Sequence, residues 1–423
     1  MTEEFANYET SFFVMSIPTE ADIDICNMSD RDFAVFFHEY IHFLQDITSF
    51  YGYSSIYSHG EYMRKVLNII YNCQGDSFTV PIDIHEDTDN VWLNQQISYF
   101  SLGDMGDISI VSIKDVNADI FIEMLPLNSS FSIPELHVKA LTNKGVEEFI
   151  VGAYAIRENM AYLLERTCTT RYQSSCEFPY QIVEILANSL CPGVLSNEDL
   201  IALCDVSLQC SVPGYGLYQY LKAISIGSLI INKPEDFYDN FFSQQIDFLG
   251  KKQSTTSALE MASKIAIEHL SSYVKIDSLK EEYTNWVDFT FKKGLELRIS
   301  HRYFFLKMAR DKRDKDNKVL QMIARTVGSP QMVNAKGLRY QLATTRSICR
   351  FEYFEAVREI ERLFETGSVS CRLKPWCRMS PNEAPVDNRC DKAPWTRCND
   401  VALCPYGLLW RHWNLANKTV IFG

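Results

Sequence analysis

Residues 38–42 read His38-Glu39-Tyr40-Ile41-His42, two imidazoles four positions apart with a carboxylate beside the first. On an α-helix, residues four apart lie one above the other on one face, so both rings can reach a single metal ion. Glu39 then stands next to them, where it can handle the proton of a metal-activated water. Histidine is scarce, 8 in 423 residues, which gives the spacing weight. The competing explanation is a buried helix with two structural histidines, which leaves Glu39 without work.

The surrounding residues predict the helix this chemistry needs, over roughly 29–50. Ser29 and Asp30 are N-cap candidates, and Ser29 with Asp32 resembles a capping box with Asp in place of Glu. Phe33, Phe36, Phe37, Tyr40, Leu44 and Ile47 recur at helical spacing, while His38, His42, Gln45 and Ser49 fall on a separate polar strip. Gly52 is the expected stop. A strand is expected over 10–17 and a second helix over 55–73.

Between about 78 and 151 the period shifts toward two. Extended runs at 79–84, 108–113 and 120–125, and a pair flanking Asn143-Lys144-Gly145, predict a small, mostly antiparallel sheet. From Gly152 onward helices are expected near 153–168, 178–190, 197–209, 215–230, 256–272, 278–294, 301–310 and 351–366. The charge run Arg310–Asp316 reads as exposed surface and divides the chain, on this reading, into 1–310 and a helical, Cys/Trp-rich region over 311–423.

A catalytic zinc needs a third protein ligand. Thr48 occupies the position six residues after His42 where a local third histidine could have stood, so the ligand comes from farther away. Glu158 is the leading candidate, mid-helix among apolar neighbours, with small Ala161 one turn on to permit close helix packing. A carboxylate on such a face is costly unless a cation meets it, either a metal or an arginine such as Arg157. Glu165 is the fallback. Asp46, one turn beyond His42, is a candidate to hydrogen-bond a ligating ring, or else an ordinary helix charge. Tyr154 and Tyr162 flank Glu158 at helical spacing as candidate oxyanion donors or as aromatic core, with His269 and His301 as distant alternatives.

The pair of segments His38–His42 and Glu158–Glu165 resembles the gluzincin metallopeptidases. The resemblance implies His38, His42 and Glu158 as zinc ligands, Glu39 as general base and a zincin-like fold. Ala161 matches the common E-x-x-A setting, while the frequent Gly is Asn159 here. The implied activity is zinc-dependent hydrolysis of a protein or peptide. Two other expectations stand beside it: an inactive zincin-scaffold binding protein using the C-terminal module, and a metal-dependent hydrolase of non-peptide amides.

Composition narrows the rest. With 46% hydrophobic and 22% charged residues, the chain has an ordinary globular balance and an expected α+β, predominantly helical fold. A net charge of −13 disfavours general nucleic-acid binding. No apolar run approaches the length of a membrane span, and no leader is evident at Met1–Phe5, so the expected location is cytoplasmic. Most of the 13 cysteines are then reduced thiols or metal ligands. Five of them, Cys371, Cys377, Cys390, Cys398 and Cys404, crowd the tail without any C-x-x-C pair. Cys390, Cys398, Cys404 and His412 form a candidate structural metal set, against buried thiols or disulfides. Trp376, Trp395, Trp410 and Trp413 accompany them and suggest a compact module with a recognition surface.

Overall fold

The computed structural model describes residues 6–423 apart from 74, 85–89, 106–109, 111, 125–131, 172–175, 275, 343, 345–349 and 380–383. Two short strands, β1 (Asn7–Glu9) and β2 (Val14–Ile17), precede the helix that carries the opening motif, α1 (Asp30–Thr48). The single strand expected over 10–17 is thus a turn followed by β2. Ser29 caps α1 by accepting a hydrogen bond from the Asp32 amide at 3.1 Å, and two acids stand in the first turn against the positive helix end. All six stripe residues are buried, and so are Ala34, Ile41 and Phe43. The second half of α1 is therefore enclosed on nearly every side, wider than an amphipathic stripe implies.

Gly52 does not stop this helix. The break falls at Ser49, which ends α1 and caps the next helix, α2 (Phe50–Asn72), by accepting from the Gly52 amide at 2.9 Å. Gly52 is required for another reason. A Cβ there would sit 2.2 Å from the Asp46 carbonyl oxygen, so only glycine lets the chain turn this tightly between two helices.

The chain then runs through β3 (Ser77–Val80), α3 (Asn90–Leu102) and three strands, β4 (Ile113–Met124), β5 (Ser132–Thr142) and β6 (Gly145–Val151). The last three form the expected antiparallel sheet in the order β4-β5-β6. β3 is not part of it. Half of the expected run at 108–113 falls outside the described residues. Of it, Ile110 bridges to Phe178 and Ile113 begins β4.

Helices dominate the chain beyond β6: α4 (Ala153–Cys168), α5 (Glu177–Tyr180), α6 (Ile182–Leu190), α7 (Asn197–Ser207), α8 (Pro213–Ser225) and α9 (Glu235–Ser243). The hairpin β7 (Gln245–Phe248) and β8 (Lys251–Ser254) separates them from α10 (Thr255–Tyr273), α11 (Lys280–Ser300), α12 (Phe304–Arg310) and α13 (Lys318–Val327). Strands β9 (Gln331–Asn334) and β10 (Arg339–Tyr340) lead to α14 (Glu352–Thr366). The tail holds three short helices, α15 (Lys374–Met379), α16 (Arg389–Lys392) and α17 (Pro405–His412), and closes with β11 (Thr419–Phe422). The fold is α+β with small sheets, and its helices lie close to the expected spans. α3 carries too little periodicity to be read from sequence, and α9, α13 and the short helices of the tail are not among the expected ones, although α9 and α13 are amphipathic.

Long-range strand pairs close the chain on itself. β9 runs parallel to β2, with Val14 opposite Gln331, in a four-stranded sheet ordered β1-β2-β9-β10. β11 runs parallel to β3. Residues on both sides of position 310 thus share a sheet and a continuous apolar core that includes Phe13, Trp286 and Phe354. In the charge run itself, Arg310 pairs with Glu198 and Glu235, and Asp314 accepts from the Thr170 amide.

Arg298 anchors the end of α1. Its guanidinium, fully buried, donates to the Thr48 carbonyl at 2.8 Å and to both Asp205 oxygens at 2.7 Å. The donation satisfies a carbonyl that the helix end leaves free, and the bidentate carboxylate keeps the buried charge paired. Gly294, one turn earlier on α11, allows this approach, since a Cβ there would lie 2.3 Å from the Ile47 oxygen.

Candidate metal centre

The centre lies between α1 and α4. Small residues let the helices meet: Ala155 and Ala161 are fully buried, and the Gln45 side chain of α1 donates to the Arg157 carbonyl of α4 at 3.3 Å. Asn159, where the resemblance expects glycine, is also fully buried. Its Oδ1 accepts from the Val183 amide at 2.6 Å and fastens α6 to α4. Glu158 is thereby held facing α1.

His38 Nε2 lies 3.2 Å from Glu158 Oε2, and His42 Nε2 lies 3.4 Å from Glu158 Oε1. Among the described residues these three are the one group of histidine, cysteine or acidic donors whose ligand atoms all stand within 4.8 Å of one another. The other ring nitrogens are engaged from behind. His38 Nδ1 is 2.9 Å from Glu165 Oε2, and His42 Nδ1 is 2.9 Å from Gln45 Oε1. Both partners are acceptors, so each Nδ1 can donate its proton to them and leave the Nε2 lone pair free to face an ion. Two lone pairs and a carboxylate facing one another need a proton or a cation between them.

The donor set fits zinc. At zinc–nitrogen and zinc–oxygen distances of about 2.0–2.1 Å, tetrahedral ligand atoms stand about 3.3 Å apart. The two measured separations bracket that value. The ligands are two imidazoles and one carboxylate, with a carboxylate and an amide oxygen orienting the rings, an arrangement typical of metal-ligating histidines.

Electrostatics agree with a centre that attracts positive charge. Burial would lower the basicity of His38, but hydrogen bonds to Glu158 and Glu165 and the charge of Glu39 raise its pKa well above the usual value. Burial would raise the pKa of Glu158, but His42 and His38 beside it hold it far below the ordinary carboxylate range. Glu39 is 7% exposed. Burial pushes its pKa up, and the two histidines offset this only in part. The Tyr8 backbone of β1 pulls it back down a little.

The other candidates take different places. Glu165, the fallback ligand, sits behind His38 and not at the convergent nitrogens. Asp46 does not touch His42, because Gln45 occupies that nitrogen. Asp46 is buried one layer out, where it accepts from Tyr8 Oη at 3.0 Å and the Ser11 amide at 3.2 Å and faces Arg157 Nη2 at 3.4 Å. Arg157 in turn donates to Gln45 Oε1 at 3.3 Å, so Asp46 braces the group that orients His42. Tyr154 is half-buried, and the charges of Glu158 and Glu39, after burial, push its pKa up. Tyr162 is buried beneath Arg166 and packs against Tyr180 at 6.0 Å between ring centroids. Tyr180 itself lies edge-on to His38 at 6.2 Å and feels Glu158 and Glu39. Tyr180 falls within the helix expected over 178–190, which the structure breaks into α5 and α6, but sequence reasoning did not single it out because nothing local shows that it meets His38. His269 pairs with Glu61 at 3.5 Å, and His301 is exposed at the end of α11.

In the tail, Cys390 and Cys404 share a small cavity with Cys371 and Cys377, and its lining does not include Cys398 or His412. Trp395, Trp410 and Trp413 are buried, and Trp410 stacks on Phe78 and Tyr406, so these rings build core and not a recognition surface.

Among the described residues no helix is long and apolar enough to cross a membrane. Compared with family models, with curated proteins and with solved structures, the chain finds no match.

Proposed function

We propose that the protein is a zinc-dependent metallopeptidase of gluzincin type, with a zincin-like arrangement of α1 and α4. The observation that carries this reading is the convergence of His38 Nε2, His42 Nε2 and the Glu158 carboxylate, with buried Glu39 beside them. His38, His42 and Glu158 would hold the ion. A zinc ion bound by such a set supplies Lewis acidity, which brings the pKa of water to about 7 and polarises a carbonyl.

Glu39 does the proton work. A carboxylate oxygen of Glu39 accepts a proton from the attacking water and delivers it to the amide nitrogen as the C–N bond breaks, giving a carboxylate and an amine. Its burial favours the protonated form, which suits a group that must hold a proton between these events. Tyr180, edge-on to His38, and Tyr154, which feels the Glu158 charge, would be the donors to the oxyanion that develops on the carbonyl oxygen.

A peptide is favoured over other amides because β1, whose Tyr8 backbone influences Glu39, is an edge strand of its sheet. An extended substrate can align along such an edge. The test is zinc content and peptide cleavage by wild type and Glu39→Gln. Both bind zinc and only wild type cleaves. A metal-free wild type, or undiminished cleavage by the variant, overturns the proposal.

A further inference from the structure

We propose a second metal site in the C-terminal segment, a structural zinc held by Cys371, Cys377, Cys390 and Cys404. The four residues come from four separate stretches of the tail, yet all line one cavity of about 10 Å³. That is room for one water-sized body and nothing larger. Its remaining walls include Leu373, Pro394 and Pro405, so the space is screened from solvent on its apolar sides.

The folding of the segment brings these thiols together by backbone contacts. The Cys371 amide donates to the Cys390 carbonyl at 2.9 Å, which joins the first stretch to the third. Cys404 stands at the N-cap of α17, where its sulfur accepts from the Gly407 amide at 3.4 Å. Glycine is needed at 407, because a Cβ there would lie 2.9 Å from the Arg397 carbonyl. That close approach sets Cys404 against Arg397.

Arg397 is the second, independent observation. It is 1% exposed. Its Nη1 donates to Cys390 Sγ at 3.2 Å and its Nε to Asp400 at 3.2 Å, but its Nη2 is buried with no partner. The Tyr406 hydroxyl, on the same cavity, is buried and equally without a partner. A neutral thiol is a weak acceptor, and an unpaired buried donor is expensive, the more so when charged. Four thiolates around a divalent cation carry a net charge of about −2 and accept hydrogen bonds strongly. Such a centre supplies what Arg397 and Tyr406 lack. No three of the sulfurs stand within 4.8 Å of one another, so binding draws them inward around the cavity. On loading, each thiol releases its proton to solvent as its sulfur bonds the ion.

The sulfurs give this site a signature that the His/Glu centre cannot produce. The full chain, purified in a reductant and free of chelator, is exchanged with cobalt(II) and its absorption recorded. A sulfur-to-cobalt charge-transfer band is expected in wild type, is retained in His38→Ala and Cys398→Ser, and is lost in Cys377→Ser. His38→Ala should keep one tightly bound zinc per chain. Absence of the band in wild type, or its survival in Cys377→Ser, overturns the proposal and identifies a water-filled or empty cavity among reduced thiols. Should Cys377→Ser fail to fold, the wild-type and His38→Ala spectra still decide. Because the band reports sulfur alone, failure of the peptidase reading leaves this result unaffected.

Discussion

The two clusters differ in how they are held. His38, His42 and Glu158 ride on α1 and α4, whose apolar residues are buried whether or not an ion is present. Their ligand atoms are already gathered within 4.8 Å. The four cysteines sit on short helices and connecting segments, around a cavity with unpartnered donors on its wall. The first arrangement is preorganised by packing and keeps the buried Glu39 carboxylate beside it. The second surrounds a small cavity. A site built for chemistry needs an open coordination position, whereas a site built for stability is closed. On these two proposals, the same element would serve both purposes in one chain, separated by whether helices or loops supply the ligands.

The largest effect is expected at Glu39. Glu39→Gln should cut peptide cleavage by about 10²–10⁴-fold with zinc content unchanged. Loss of zinc together with activity would instead make Glu39 part of the metal-binding set.

Next comes Glu165, which orients His38 from behind. Glu165→Gln should weaken zinc binding at this centre by about 10–100-fold, measured by competition with a chelator. Asp46→Asn, one layer farther out, should weaken it less, and a loss as large as that of Glu165→Gln would mean that Asp46 rather than Gln45 holds His42.

Stripping metal should separate the regions outright. The helical core should keep its circular dichroism, while amides of 371–413 should lose hydrogen-exchange protection. Equal loosening of α1 and α4 would break the comparison, because it would mean that packing does not preorganise the His/Glu centre.

The smallest expected effect is at the start of α1. Ser29→Ala should cost about 1 kcal/mol in denaturant unfolding, with the activity of the folded protein unchanged. A large loss of activity would mean that the motif helix is held by its cap more than by its core.

Much of the centre was legible because helical spacing is local. The pentapeptide, the Ser29 cap and the Glu158 helix follow from period and residue type, and α4 spans the expected residues 153–168. Gln45 was visible on the polar strip, but nothing in the sequence told that its oxygen and not Asp46 would meet His42. That choice depends on Arg157 and Tyr8 drawing Asp46 away. The contact of Tyr180 with His38 was not legible because the two are remote in sequence, and which of the crowded tail cysteines share a cavity was not legible because their elements are too short to show a period.

By itself, then, the sequence determined the helical α+β class, the spacing of His38 and His42 on one face and the presence of Glu158 on a helix. Only the tertiary structure decided that the two helices face each other, that Glu165 and Gln45 turn both Nε2 atoms inward, and which cysteines meet. The physical reason is that periodicity records which face of an element is buried, whereas contacts across more than a hundred residues are selected by the packing of the whole core.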